Sequence, residues 1–162
     1  MERKSFIGKV LRSNMVIEIP SHHSSVACIR DNLQDVPKMP GCYLIWRSEE
    51  LIYVGVSGKV WTKDNPKTSH LNQRLSDHFR GTKSDVFPIK VFERIVLKQI
   101  TDDEIQAVTN GTLEIRHLAR DYIRTNLTFT FATTTDFKLA EKTEKLIRKG
   151  SLGQKPLLNP LD

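Results

Sequence analysis

The strongest apolar pattern lies between residues 42 and 56. Cys42-Tyr43-Leu44-Ile45-Trp46 and Leu51-Ile52-Tyr53-Val54-Gly55-Val56 are β-rich runs around the polar stretch Arg47-Ser48-Glu49-Glu50. Aromatic and β-branched residues suit a half-buried pleated surface, so two such runs around a four-residue polar turn predict an antiparallel hairpin. Before it, residues 15–20 predict a short strand stopped by Pro20, and Val36-Pro37-Lys38-Met39-Pro40-Gly41 is a cluster of breakers. After it, residues 57–69 are polar and predict a loop. Leu71, Leu75, His78 and Phe79 recur at helical spacing, with Gly81 as a stop. Residues 89–100 fit helix or strand. Thr101, with Glu104 three residues on, is a helix-capping pair, and residues 113–123 predict a further helix. Leu127-Thr128-Phe129-Thr130-Phe131-Ala132-Thr133 alternates apolar residues with threonine and predicts a strand. Residues 138–149 form a charged amphipathic pattern with Leu139, Ala140, Thr143, Leu146 and Ile147 on one side and Gly150 as a stop. The tail 155–160 is proline-bounded and non-helical.

This order of elements predicts an α/β fold: a small, mainly antiparallel, three-stranded sheet flanked by helices. A chain of 162 residues can bury a core without disulfides or a structural metal. Cys28 and Cys42 have no metal-ligand spacing, which predicts a reducing, cytoplasmic setting. No apolar run is long enough to span a bilayer, and Met1-Glu2-Arg3-Lys4 is not followed by a signal core, so no membrane partner is expected. The net charge of +6 favours a polyanionic partner, with basic groups at residues 74–83 and 138–149. His22, His23, His70 and His117 form no ligand set with carboxylates and read as surface or loop residues. Glu114 and His117 are an i, i+3 pair with no second pair to complete a dimetal site.

Gly41-Cys42-Tyr43 and Tyr53-Val54-Gly55, on adjacent predicted strands, resemble the paired signature of the GIY-YIG endonuclease superfamily. Cys42 and Val54 depart from its isoleucines, but both are apolar. The tyrosines stand ten residues apart. Arg74 and His78, four residues apart on one helix face, resemble the first helix of that family. Glu144-Lys145-Leu146-Ile147 resembles its metal-binding helix, and Pro156 with Asn159 its closing element. The resemblance runs from Gly41 to Asn159. It implies an N-terminal arm (residues 1–35) and a GIY-YIG-like domain (residues 36–162) with a helical insertion at about residues 86–126.

The resemblance implies a divalent-metal-dependent endonuclease that hydrolyses DNA phosphodiester bonds, with a dimeric restriction-type enzyme as one setting. A structure-selective repair or mobile-element nuclease and a binding module without turnover are the alternatives. Glu144 is the implied ligand for Mg²⁺ or Mn²⁺, a hard cation that favours carboxylate oxygen. Glu141 is the second choice, because the usual spacing to the following apolar pair is one residue longer and would put Thr143 in the ligand position. Arg74 offers parallel donors to a phosphate. Tyr43 is implied as the base acting on water, with acceptance of the proton by His78 through Tyr43 as the alternative. Tyr53 is implied as a hydrogen-bond donor, and Asn159 as a residue that orients the site or anchors the tail. Lys59, Arg80, Lys83, Lys142 and Arg148 are the candidate phosphate-backbone contacts. Packing is the competing role for both tyrosines; for Arg74 it is an ion pair with Asp77 or Asp85.

Overall fold

In the computed structural model of the chain, residues 17–62, 64, 69–82 and 84–159 are described. They form an α/β fold in which helices cover both faces of one antiparallel sheet. In chain order the strands and helices are β1 (Val26–Ala27), β2 (Gly41–Arg47), β3 (Glu50–Ser57), α1 (Leu71–Arg80), α2 (Val86–Arg94), α3 (Asp102–Thr109), α4 (Ile115–Asn126), β4 (Thr128–Thr133) and α5 (Phe137–Arg148), with short 3₁₀ helices at His22–Ser24, Arg30–Leu33 and Val96–Lys98.

The sheet has four strands, not three, in the order β1-β4-β2-β3. The extra strand is β1, whose two residues pair with Thr128 and Phe129 of β4. It is too short to carry an alternation that sequence could reveal. Upstream of it, Ile17, Glu18 and Ile19 are not in a strand and Pro20 makes only an isolated bridge, so no strand runs through this part of residues 15–20. Residues 15 and 16 lie outside the described residues.

The hairpin forms as its apolar runs predict, but its turn is two residues, not four: Arg47 pairs with Glu50, and Ser48 takes a left-handed φ of 53°. Ile45 pairs with Tyr53 and Trp46 with Leu51, so Ile52 is an extra residue, a bulge. The bulge restores the alternation needed for Tyr53 to share a face with Tyr43. Ile52 joins Tyr43 and Ile45 in one apolar cluster, with Tyr53 packed against it; Leu51 and Val54 belong to a second cluster with Cys42, Leu44 and Trp46. The first cluster is completed by Leu71, Leu75 and Phe79 of α1, Phe87 and Val91 of α2 and Ile123 of α4. The second is completed by Ala140 and Ile147 of α5.

Residues 89–100, open between helix and strand, are helical: the second half of α2, then a 3₁₀ turn. Asp85 caps α2 by accepting from the Phe87 amide at 3.2 Å, and Pro88 stands in the first turn, where a missing amide costs least. Thr101 and Glu104 form the full capping box of α3. The predicted helix 113–123 is α4, shifted towards its C-terminus.

Candidate functional site

Tyr43 comes from the middle of β2. Its side chain lies flat over Gly55, its cross-strand partner on β3. A Cβ at Gly55 would fall 2.3 Å from the Tyr43 hydroxyl oxygen, so only glycine leaves the phenol this position. The hydroxyl is 2.6 Å from Nε2 of His78 on α1. Tyr43 is 1% exposed and His78 0%. Such burial is costly for polar groups unless they are hydrogen-bonded, and here both are.

The other ring nitrogen of His78, Nδ1, is hydrogen-bonded to Oδ2 of Asp85. The chain turn after α1 brings Asp85 there. Gly81 ends the helix at φ 66°, ψ 49°, its amide donating to the Asp77 and His78 carbonyls. The Asp85 amide then donates to the Thr82 carbonyl, closing a turn that folds Asp85 back onto the helix. Arg74, one helical turn before His78, places Nη1 3.9 Å from Oδ1 of Asp85 and keeps 42% of its side chain exposed. Tyr53, half-buried, packs against the ring of Phe87 at 5.0 Å and edge-on to His78 at 5.8 Å. Tyr43, Tyr53, Arg74 and His78 thus gather on one face of the sheet. Arg74 reaches solvent, and the Tyr43-His78-Asp85 chain lies beneath.

Burial, and secondarily the neighbouring Tyr53 phenol, push the Tyr43 hydroxyl well above its ordinary value, against the pull of the Arg74 cation. Burial also raises Tyr53, with Arg74 opposing and the charges of Asp85 and Glu144 adding. Burial pushes His78 below its ordinary value, although Asp85 pulls it upward. Burial alone would raise Asp85; the His78 hydrogen bond and charge, the Phe87 amide and Arg74 outweigh it and hold the carboxyl below the usual range. At neutral pH the resting state is a neutral phenol, a neutral imidazole and a carboxylate.

Glu144 lies on α5, which covers the opposite face of β2 and β3. It belongs to the buried stripe Ala140, Thr143, Glu144 and Ile147 and is 8% exposed. That stripe has i, i+3, i+4, i+7 spacing and includes a carboxylate that the expected apolar side left out. The stripe replaces Leu139 and Leu146 of the predicted one, both only half-buried. Arg148 Nη1 is 3.4 Å from Glu144 Oε1. The charge of Glu144 acts on Cys42 on its own face and on Tyr53 across the outermost strand, β3. Glu141 faces outward and pairs with Lys145 at 3.5 Å. The Thr143 hydroxyl donates to the Leu139 carbonyl at 2.9 Å and accepts from the Ile17 amide at 3.2 Å, so it serves packing.

Asn159 anchors the tail. Its carboxamide accepts from the Val54 amide and donates to the Val54 carbonyl, both at 2.8 Å, while the Leu157 and Leu158 amides donate to the Leu51 and Ile52 carbonyls. Among the candidate phosphate contacts, Lys59, Arg80 and Lys142 are exposed, Arg148 is half-buried against Glu144, and Lys83 lies outside the described residues. His70, read as a surface or loop residue, is buried and caps α1 through Nδ1, which accepts from the Gln73 amide at 3.1 Å. The contact that sequence pattern missed is that of Asp85 with His78. Asp-x-x-Pro marks a helix start, but nothing in the pattern says which side chain the cap also touches.

Among the described residues, no group of three or more His, Cys, Asp or Glu side chains is disposed to hold a metal ion, and no helix is long and apolar enough to cross a membrane. Comparison with protein-family models, with curated proteins and with solved structures returned no match.

Proposed function

We propose that the chain is a divalent-metal-dependent endonuclease with a GIY-YIG-like site, acting on DNA. The observation that carries the reading is the buried bond between the Tyr43 hydroxyl and His78 Nε2, with the Arg74 guanidinium alongside. Phosphodiester hydrolysis needs a proton acceptor for water and positive charge beside the phosphate. A free phenolate is a poor resting base here, because burial disfavours it. A relay avoids that cost. As the water oxygen bonds to phosphorus, water gives a proton to the Tyr43 oxygen, whose own proton moves to His78 Nε2. The bond from phosphorus to the leaving oxygen breaks, and that oxygen takes a proton from solvent. Arg74 holds a non-bridging phosphate oxygen through this change, and Tyr53 donates a hydrogen bond at the mouth.

In this reading Glu144 is the one carboxylate that would hold the cation, from the face of β2 and β3 opposite Arg74 and beside Arg148. Glu144 is a carboxylate that packing keeps at a core-facing position, and its charge acts on Tyr53; a single protein carboxylate suits Mg²⁺, which keeps most positions for water and phosphate. Bound there, Mg²⁺ or Mn²⁺ would offset phosphate charge and acidify water. The test is cleavage of supercoiled plasmid, with Mg²⁺ and separately with Mn²⁺, by wild type, Glu144→Ala and Glu141→Ala. We expect nicked or linear product from wild type and Glu141→Ala and none from Glu144→Ala. Retained cleavage in Glu144→Ala with loss in Glu141→Ala would reverse the ligand assignment. DNA binding without cleavage by wild type in either metal would leave a binding module.

A further inference from the structure

We propose that Asp85 is the positioning residue of this site: it decides which ring nitrogen of His78 carries the proton, and so whether His78 can take one from Tyr43. The premise stands on the two hydrogen bonds of His78 together with its neutral ring and the ionised Asp85 described above, while its catalytic consequence rests on the nuclease reading. An ionised carboxylate can only accept hydrogen bonds. Facing Asp85 Oδ2, Nδ1 of a neutral His78 must therefore be the N–H. Nε2 is left as a lone pair 2.6 Å from the Tyr43 oxygen, and the phenol donates to it. In the opposite tautomer Nε2–H would occupy that line, and Tyr43 would have no acceptor for its proton.

The other tasks of Asp85 do not require a carboxylate. Capping α2 uses Oδ1, which accepts from the Phe87 amide at 3.2 Å, and serine or asparagine caps a helix as well. The Arg74 guanidinium stands 3.9 Å from Oδ1, beyond hydrogen-bond length. Arg74 gains a charge contact from the carboxylate, but His78 alone is hydrogen-bonded to it and needs an acceptor-only partner at Nδ1. When the relayed proton arrives on Nε2, the Asp85 charge also steadies the resulting imidazolium. The ionisable groups around His78 are Tyr43 from β2, Tyr53 from β3, Asp85 at the start of α2, and Arg74 and Asp77 on its own helix.

The experiment is ¹⁵N NMR of the histidine-labelled full chain, comparing wild type with Asp85→Asn and Asp85→Ser, together with the pH profile of plasmid cleavage. Both substitutions keep a capping oxygen for α2, so one can stand in if the other fails to fold. Wild type should show His78 protonated at Nδ1 and bare at Nε2, and both variants should lose that preference. Cleavage should fall by about 10³–10⁴-fold, the scale set by losing the carboxylate behind a relay histidine. The residual activity should extend to lower pH, because Asp85 no longer raises the proton affinity of His78; a merely structural loss would leave that limb unmoved. A wild-type His78 protonated at Nε2, or variants that keep the Nδ1–H form, would overturn the inference whether or not DNA is cut. A tautomer that depends on Asp85 in a wild-type protein that cuts no DNA would sink the nuclease reading and leave the assignment of Asp85 intact.

Discussion

Gly55→Ala adds one methyl group beneath the Tyr43 ring. That carbon would lie 2.3 Å from the hydroxyl oxygen, 2.4 Å from Cζ and 2.9 Å from Cε1. Comfortable contact between such atoms is about 3.5–4.0 Å, so the ring must retreat by roughly 1 Å or more. Tyr43 is 1% exposed and packed within the first apolar cluster. Its 2.6 Å bond to His78 cannot survive that shift. Overpacking costs about 1–3 kcal/mol and a buried polar group left unpaired about 1–3 kcal/mol. The sum, about 2–6 kcal/mol, outweighs the roughly 0.4–1 kcal/mol that alanine gains by restricting the unfolded chain. A domain with about 5–15 kcal/mol of stability can remain folded after this loss and be measured. Urea denaturation of wild type, Gly55→Ala, Tyr43→Ala and the double variant closes a cycle. Once the ring is absent, Gly55→Ala should be close to neutral, giving a coupling of about 2 kcal/mol or more between the two sites. Stability within about 0.5 kcal/mol of wild type for Gly55→Ala alone would refute the placement of the phenol over the glycine.

Two further outcomes follow from the same contacts. Asn159→Ala removes two 2.8 Å hydrogen bonds to the Val54 backbone and should lower stability by about 1–3 kcal/mol while leaving the metal dependence of cleavage unchanged; a urea midpoint equal to wild type would contradict the anchoring role. Stability should also fall with pH in two stages. The folded pKa of His78 lies below its unfolded value of about 6.5, so the unfolded chain binds the extra proton first and the His78 contribution, whole above that value, is lost as pH falls through the window beneath it. Asp85 is likewise depressed, so its contribution is whole above about 3.9 and is lost as pH falls further. A His78→Gln variant should lack the first stage, and a wild-type stability that is flat between about pH 7 and 5 would count against a buried neutral imidazole.

The legible parts of the fold were those whose period is set by one buried face. The hairpin, α1, β4 and α5 each carry apolar residues at their own repeat, and their stops, Gly81 and Gly150, take φ of 66° and 94°. Features made by tertiary contact left weaker traces. β1 has only two residues. The bulge at Ile52 is a register property of two strands and cannot be seen in one. The buried cap by His70 uses a residue type that more often lies outside. For the site, Tyr43, Tyr53, Arg74 and His78 were singled out by the family resemblance, and the structure gathers them on one face. Glu144 was singled out only by the resemblance; its burial and its place on the opposite face were not read from the apolar pattern of α5. Asp85 acts through a turn of the chain after α1, and no periodicity records that contact.

The most direct measurement compares Mg²⁺-dependent cleavage of supercoiled plasmid by wild type and by Tyr43→Phe at equal folded concentration. Phenylalanine keeps the ring over Gly55 and removes only the hydroxyl that bonds His78. Loss of one proton-transfer group should slow cleavage by about 10²–10⁴-fold, while the unpaired His78 Nε2 lowers stability by about 1–3 kcal/mol and leaves the chain folded for the comparison. Cleavage by Tyr43→Phe at the wild-type rate would contradict the relay from Tyr43 to His78.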